Sequence, residues 1–262
     1  MMTTLIEVND IHVHFRQGGR IGGRTIKALN GVSFTLHDNE ILAIVGESGS
    51  GKSTLGRTVA GLIKPVKGTV RLPTAKGKGT QRHRQIQMVL QNPFDSLNPI
   101  HNVAHHLHRA LKLHHPKSED TLDARTHALL TKVDLVPPKS YLHRFPHALS
   151  GGQRQRVMIA RALAVAPSIL IADEPTSMLD VSVRADILQL LADARDTDGL
   201  GIILITHDLA AAALIADRIL VLKGGECVEH GDTKTVLTKP QHSYTKTLLA
   251  AIPRGQPGRF ST

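Results

Sequence analysis

The feature that most constrains this chain is the stretch Gly46-Glu47-Ser48-Gly49-Ser50-Gly51-Lys52-Ser53-Thr54, placed directly after the apolar run Ile41-Leu42-Ala43-Ile44-Val45. The run does not alternate, as expected of a strand buried on both faces of a parallel sheet. The stretch fits G-x-x-x-x-G-K-[ST] and leads into a helical pattern ending near Leu62. Strand, glycine-rich turn and helix in that order make a phosphate cradle. Backbone N–H groups curl around anionic oxygens, the helix N-terminus adds partial positive charge, Lys52 reaches the outer phosphates, and Ser53 can ligate Mg²⁺.

Two more short apolar runs, Ile169-Leu170-Ile171-Ala172 and Ile202-Ile203-Leu204-Ile205, read as further buried strands. Between them the segment from Ser182 to Thr197 places Val183, Ile187, Leu190, Leu191 and Ala194 on one helical face. Strand, helix, strand predicts an α/β fold. The first of these runs ends in Asp173-Glu174, at the carboxyl end of a parallel strand, where ligands of open α/β sheets bind. Such a pair standing alone is more often solvated or capping. With a phosphate cradle upstream, Asp173 is placed to hold Mg²⁺ through water and Glu174 to polarise an attacking water.

Other parts have a different texture. Ile11, Val13 and Phe15 alternate with His12 and His14, and Val32, Phe34 and Leu36 repeat that period of two, predicting antiparallel strands with one wet face. The segment Gly18 to Arg24 between them is too glycine-rich for regular structure. Residues from about His101 to His147 are rich in His, Leu and Lys, carry Pro116, Pro137 and Pro138, and predict a mostly helical insertion. Arg218 to Leu222 and Glu226 to His230 flank Gly224-Gly225, a pair suited to a tight hairpin.

The 262 residues suit one large domain, or one with an insertion. A lone cysteine, Cys227, excludes an intramolecular disulfide or a multi-cysteine zinc site and argues for a reducing, cytoplasmic compartment. The apolar stretches fall short of the roughly 20 residues of a membrane helix, and the first ten residues lack the pattern of a signal peptide. A net charge of +10 favours polyanions, anionic lipid surfaces or phosphate ligands without choosing among them.

Leu149-Ser150-Gly151-Gly152-Gln153 precedes a helical stretch from Arg154 to Val165 and by itself reads as an N-cap, with a second helix N-terminus open to phosphate. Together with the phosphate loop and the Asp-Glu strand, in that order, it resembles the ATP-binding-cassette (ABC) family. The resemblance covers nearly the whole chain. It implies a P-loop NTPase core with an antiparallel β subdomain and a helical insertion: one nucleotide-binding domain over residues 1–262, its antiparallel part at about 1–40, its helical subdomain at about 92–165 and its tail at about 233–262. It also implies ATP and Mg²⁺ as cofactors, bound by residues 46–54.

By the same resemblance Phe15 is similar to the aromatic that stacks on adenine, although core packing is nearly as natural a role for a lone strand aromatic. Gln91 resembles the glutamine that contacts Mg²⁺ and water and senses the membrane partner. His207 resembles the histidine that hydrogen-bonds the γ phosphate. Ser150, Gly151, Gly152 and Gln153 resemble the signature that completes the ATP site of a second cassette in a head-to-tail dimer. Ser177-Met178-Leu179-Asp180 resembles the loop by which two cassettes touch, with Met178 where the family usually carries Ala. Catalysis is thereby expected of Glu174, His207, Lys52 and Gln91, and metal binding of Ser53, Gln91 and Asp173.

The stretches Gln91-Asn92-Pro93-Phe94-Asp95-Ser96-Leu97-Asn98-Pro99 and Lys239 to Leu249 resemble the oligopeptide, dipeptide and nickel importer branch, though Ile100 and His101 follow where Arg is usual and the branch's extra cysteines are absent. The branch implies two transmembrane permease subunits, an extracytoplasmic solute-binding protein and a second ABC ATPase, identical or homologous. The chain is then peripheral on the cytoplasmic face of the cell membrane, with peptides as cargo and nickel as the alternative. Nucleic acid is not an expected partner: the chain lacks the long heptads, paired cysteines and second cassette of the DNA-repair and ribosome-associated ABC proteins. Of the clustered His101, His105, His106, His108, His114 and His115, the first, second and fourth have helical spacing, but a solvated polar face is the favoured reading over a metal site.

Overall fold

A computed structural model describes residues 3–17, 24–73, 82–92, 96–114 and 120–251. The glycine-rich link at 18–23, Pro93, Phe94, Asp95, His115, Pro116 and the tail after 251 lie outside the described residues.

The alternating segments pair with each other. β1 (Thr4–Gln17) runs antiparallel to β2 (Arg24–His37), with Ile11 opposite Val32 and Val8 opposite Phe34. β4 (Lys67–Arg71) adds to the other edge of β1, so this sheet reaches beyond the first forty residues.

The unalternated runs make a second, six-stranded sheet. It contains β3 (Ile41–Val45), β5 (Ile86–Val89), β6 (Ile169–Asp173), β7 (Gly201–Thr206), β8 (Arg218–Lys223) and β9 (Glu226–Asp232), in the order β5-β6-β7-β3-β8-β9. Its pairs are parallel except for the β8–β9 hairpin. Every residue of β3, β6 and β7 is buried, which is why these runs are apolar on both faces. Leu42 and Ile44 pack toward the antiparallel sheet among Ile6, Ile11 and Leu36, whereas Ala43 and Val45 meet Leu209, Ala212 and Tyr244 on the opposite side.

The helices are α1 (Lys52–Val59), α2 (Arg82–Gln85), α3 (Val103–His114), α4 (Leu122–Lys132), α5 (Lys139–Leu142), α6 (Gly151–Leu163), α7 (Val181–Asp198), α8 (Leu209–Ile215), α9 (Thr233–Thr238) and α10 (Ser243–Ala250). The segment read as a helical insertion is α3 to α5, and α3 buries Val103, His106, Leu107 and Leu111 against α6 and its neighbours. His101 and His105 lie off that face with their rings stacked 3.7 Å apart, while His108 faces Asp123 at 3.4 Å. No three His, Cys, Asp or Glu side chains gather as metal ligands among the described residues, nor is any helix there long and apolar enough to cross a membrane.

Candidate nucleotide site

The order of the parallel sheet brings the distant motifs together. β7 lies between β6 and β3. The loop after β3, the carboxylates ending β6 and the histidine after β7 are therefore neighbours at the carboxyl edge, where crevices of doubly wound sheets open.

The loop from Gly46 to Gly51 can be built only with glycine at its ends. Gly46 has φ 154°, and a Cβ there would stand 2.1 Å from the Leu222 carbonyl oxygen. Gly51 has φ 105°, and its Cβ would stand 2.5 Å from the Ala28 oxygen. Gly51 is also the N-cap of α1 and contributes no side-chain cap, so the first-turn N–H groups of α1 are not satisfied by a capping side chain. Those groups edge a cavity of about 710 Å³ lined by Gly46 to Gly49, Gly51 to Thr54, Gln91, Glu174 and His207. That volume is in the range of small-molecule sites.

Within the cavity the charged groups hold one another. Lys52 is buried and its Nζ donates to the carbonyls of Gly46 (2.7 Å) and Glu47 (2.8 Å). Burial holds its ammonium below the usual lysine range, against the pull of Glu174, Asp173 and Glu47. Ser53 Oγ donates to Asp173 Oδ1 at 2.9 Å. Asp173 is itself buried, and loss of hydration raises its carboxyl above the ordinary value despite that hydrogen bond. Glu174 stands in the left-handed region at φ 50°, a conformation that costs a non-glycine residue about 1–3 kcal/mol. Its N–H donates to the Ile205 carbonyl at 2.8 Å, its own carbonyl accepts from Ser177 Oγ at 3.0 Å, and its carboxylate meets His207 Nδ1 at 2.9 Å through both oxygens. The strained backbone thus aims the carboxylate into the cavity and the histidine fixes its direction.

The signature residues are elsewhere. Ser150, Gly151, Gly152 and Gln153 form the exposed N-terminus of α6, beside Leu179 and Val183, and none of them lines the cavity. Ser150 Oγ accepts from Gln153 N at 3.2 Å and Gln153 Oε1 from Ser150 N at 3.1 Å, a complete capping box. Arg154 and Arg156 support this helix through the carbonyls of Leu149 and Val133. Phe15 is 42 % exposed, so it is not a core residue, and it does not line the cavity. Its cross-strand partner Ile26 does, which leaves the ring one strand away on the same face. Ser50 likewise stays outside the lining, its buried Oγ without a hydrogen-bond partner.

Several lining residues carried no motif: Ile26, Lys27, Ala28, Gly224, Gly225 and Leu248. Gly224-Gly225 signalled only a hairpin, and Leu248 lies in a stretch that signalled only a branch of the family. Tyr244 in the same stretch accepts the Glu47 N–H on its hydroxyl at 3.0 Å.

The chain matches the family model for ABC transporters over residues 29–177. It is 42% identical to the peptidoglycan transport ATP-binding protein YejF of Agrobacterium fabrum over 97% of this chain, spanning 48%, about half, of that protein's length. It is also 42% identical to the dipeptide transport ATP-binding protein DppF of Haemophilus influenzae, over 88% of this chain and 72% of the relative. Among solved structures it superposes with a TM-score of 0.75 on the ATP-binding cassette MJ0796, a dimer in a post-hydrolysis state bound to ADP and Pi, at 28% identity over 87% of this chain and 99% of the other. With its phosphate loop, its buried lysine and Glu174 in one cavity, the chain belongs to the ABC transporter family, as one of its ATP-hydrolysing nucleotide-binding subunits.

Proposed function

We propose that this chain is a single nucleotide-binding domain that powers the import of peptides through a pair of membrane permeases. The observation that carries the catalytic half of this reading is the convergence of Lys52, Ser53, Glu174 and His207 on one cavity, with Asp173 hydrogen-bonded to Ser53. The cargo half rests on the 42% identity to the dipeptide relative. A second reading, fragments of peptidoglycan, is favoured by the equal identity to the Agrobacterium protein.

In this mechanism the N–H groups around Gly49 to Thr54 cradle the phosphates, and Lys52 leaves its two carbonyl partners for the β and γ oxygens. Phe15 and Ile26 offer the base an apolar surface. Glu174 orients a water toward the γ phosphorus and accepts its proton as the bond to ADP breaks, while His207 holds that carboxylate and the departing phosphoryl group. A buried carboxylate hydrogen-bonded to the Ser53 hydroxyl, which lines the same cavity as Gln91, is an oxygen donor set suited to a hard divalent cation that keeps several waters. Ser53, Asp173 and Gln91 would hold Mg²⁺, which would supply neutralising charge to the phosphates.

Ser150, Gly151, Gly152 and Gln153 do not line this cavity and in our reading close over the nucleotide of a second cassette, identical or homologous. ATP binding favours the closed pair and hydrolysis releases it. The chain works peripherally on the inner face of the cell membrane with an extracytoplasmic solute-binding protein.

The test is uptake of a labelled oligopeptide in the source cells, with Glu174→Gln replacing the native copy. Loss of uptake at unchanged expression is the expected result. Unchanged peptide uptake refutes the peptide cargo and directs the same assay to peptidoglycan fragments and nickel.

A further inference from the structure

The phosphate loop is held from a side that no nucleotide-binding motif announces. The β8–β9 hairpin supplies one tie: Gly225 N donates to the Ser50 carbonyl at 2.9 Å. The other comes from α10. Tyr244 is 6 % exposed, packed among Val45, Leu209 and Val236, and its hydroxyl accepts from Glu47 N. The Lys223 ammonium lies 4.7 Å from the centroid of the Tyr244 ring, a cation–π contact that fixes the ring against the strand behind the loop. One helical turn further on, Leu248 forms part of the cavity wall.

The helix carrying these residues is itself anchored. Both carboxylate oxygens of Glu229, on β9, accept backbone N–H groups, from Gln241 at 2.8 Å and His242 at 3.0 Å. His242 Nδ1 in turn accepts from Tyr244 N at 3.1 Å as the cap of α10. α10 is thus clamped to the sheet at its start and touches the phosphate loop one residue into the helix.

We infer that α10 is a functional wall of the nucleotide site, with Tyr244 as a positioning residue that pre-organises the phosphate loop through the Glu47 amide. This rests on the reading of the cavity as the ATP site and adds a determinant to it. A loop with Gly46, Gly49 and Gly51 all at positive φ has much freedom to lose when it wraps phosphates. An anchor at the second position of the loop lowers the ordering cost before the ligand arrives. The Glu47 N–H is thereby already engaged and is not one of the donors left for phosphate.

The experiment compares Tyr244→Phe with the unaltered full chain. The ring and its packing are kept and only the hydroxyl is lost. The affinity for ATP and for ADP is expected to fall about 3- to 10-fold, the range of one hydrogen bond, with kcat at saturating ATP unchanged. Amide hydrogen exchange without nucleotide is expected to speed up in the peptide containing Glu47 while α10 keeps its protection. Unchanged affinity and unchanged exchange at Glu47 would overturn the inference. So would faster exchange across α10 as a whole, because Tyr244 would then be a packing residue. Leu248→Ala gives an independent reading, expected to raise KM for ATP without changing exchange at Glu47; an unchanged KM removes α10 from the cavity wall. Failure of the ATP assignment is distinguishable, since the unaltered chain would then bind no nucleotide.

Discussion

The N-terminus of α1 and the N-terminus of α6 are built from similar residues, glycine and serine at the first turn, and are finished in opposite ways. At α1 the N-cap is Gly51, with no side chain to satisfy the helix, and the residues after it edge a deep cavity. At α6 the cap is Ser150, which with Gln153 satisfies donors inside the chain and does not line that cavity. The first end has its donors available for a ligand bound by the same molecule. The second is stable by itself and presents Gly151 on the surface, the form suited to a nucleotide carried by another molecule. A glycine-led helix start is therefore not enough to make a site. What surrounds it decides, and here the first residues of α1 line the cavity at the carboxyl edge of the parallel sheet while those of α6 do not.

The strongest way to break this contrast is to stop the chemistry at the first end alone. Glu174→Gln keeps the shape of the side chain and removes the base, so hydrolysis is expected to fall by about 10²- to 10⁴-fold while ATP is still bound. If the two ends belong to sites in different molecules, paired cassettes then accumulate with ATP and are visible by size-exclusion chromatography. A variant that stays single with ATP bound would refute the division of labour.

A smaller effect sharpens it at the second end. Ser150→Ala removes half of the capping box and is expected to cost about 1 kcal/mol, or ~2–4 °C in the thermal midpoint without nucleotide. ATP affinity of the single chain is expected to be unchanged, because Ser150 lies outside the cavity, whereas ATP-driven pairing is lost. Lys52→Ala is the mirror image: weaker ATP binding with no fall in the midpoint. If Ser150→Ala weakens ATP binding by the single chain, the two ends are not independent.

The same contrast separates what is legible in the sequence from what is not. The Gly46 to Thr54 loop, the doubly buried runs of β3, β6 and β7 and the Asp173-Glu174 ending are readable because each is a local pattern whose residue types have few other uses. β4 is not, since Lys67-Gly68-Thr69-Val70-Arg71 is a half-exposed edge with one large apolar residue and no alternation to see. Exposure decides the open role of Phe15 against the core, and exposure depends on the sheet's face and not on its period. The parts played by Tyr244 and Leu248 are hidden because their partners lie about 200 residues away in the chain. A tyrosine buried behind a strand looks the same in sequence whether its hydroxyl meets water or a phosphate loop.

The least perturbing test concerns stability rather than rate, and it asks whether the cavity at α1 is built for a cation at the expense of the empty fold. Burial raises the Asp173 carboxyl above its ordinary value near pH 4, so the folded chain holds that proton more tightly than the unfolded chain does. Its contribution is then most favourable below about pH 4 and is lost as pH rises through the raised value. At neutral pH a charged Asp173 costs the empty protein stability. Asp173→Asn keeps the shape and an acceptor for Ser53 Oγ and removes the charge. The variant is expected to melt higher than the original at pH 7 without nucleotide or metal, by ~1–3 °C, with the gap closing toward pH 4. Part of the gain is offset because Lys52 loses one of the carboxylates that favour its charged form, though Glu174 remains. Mg²⁺ with ATP should reverse the order, since only the original offers a carboxylate to the ion. A variant that melts lower than the original at neutral pH would mean that Asp173 is a structural acceptor first. The cavity would then differ from the α6 end in its surroundings alone, and not in carrying a charge whose cost a ligand relieves.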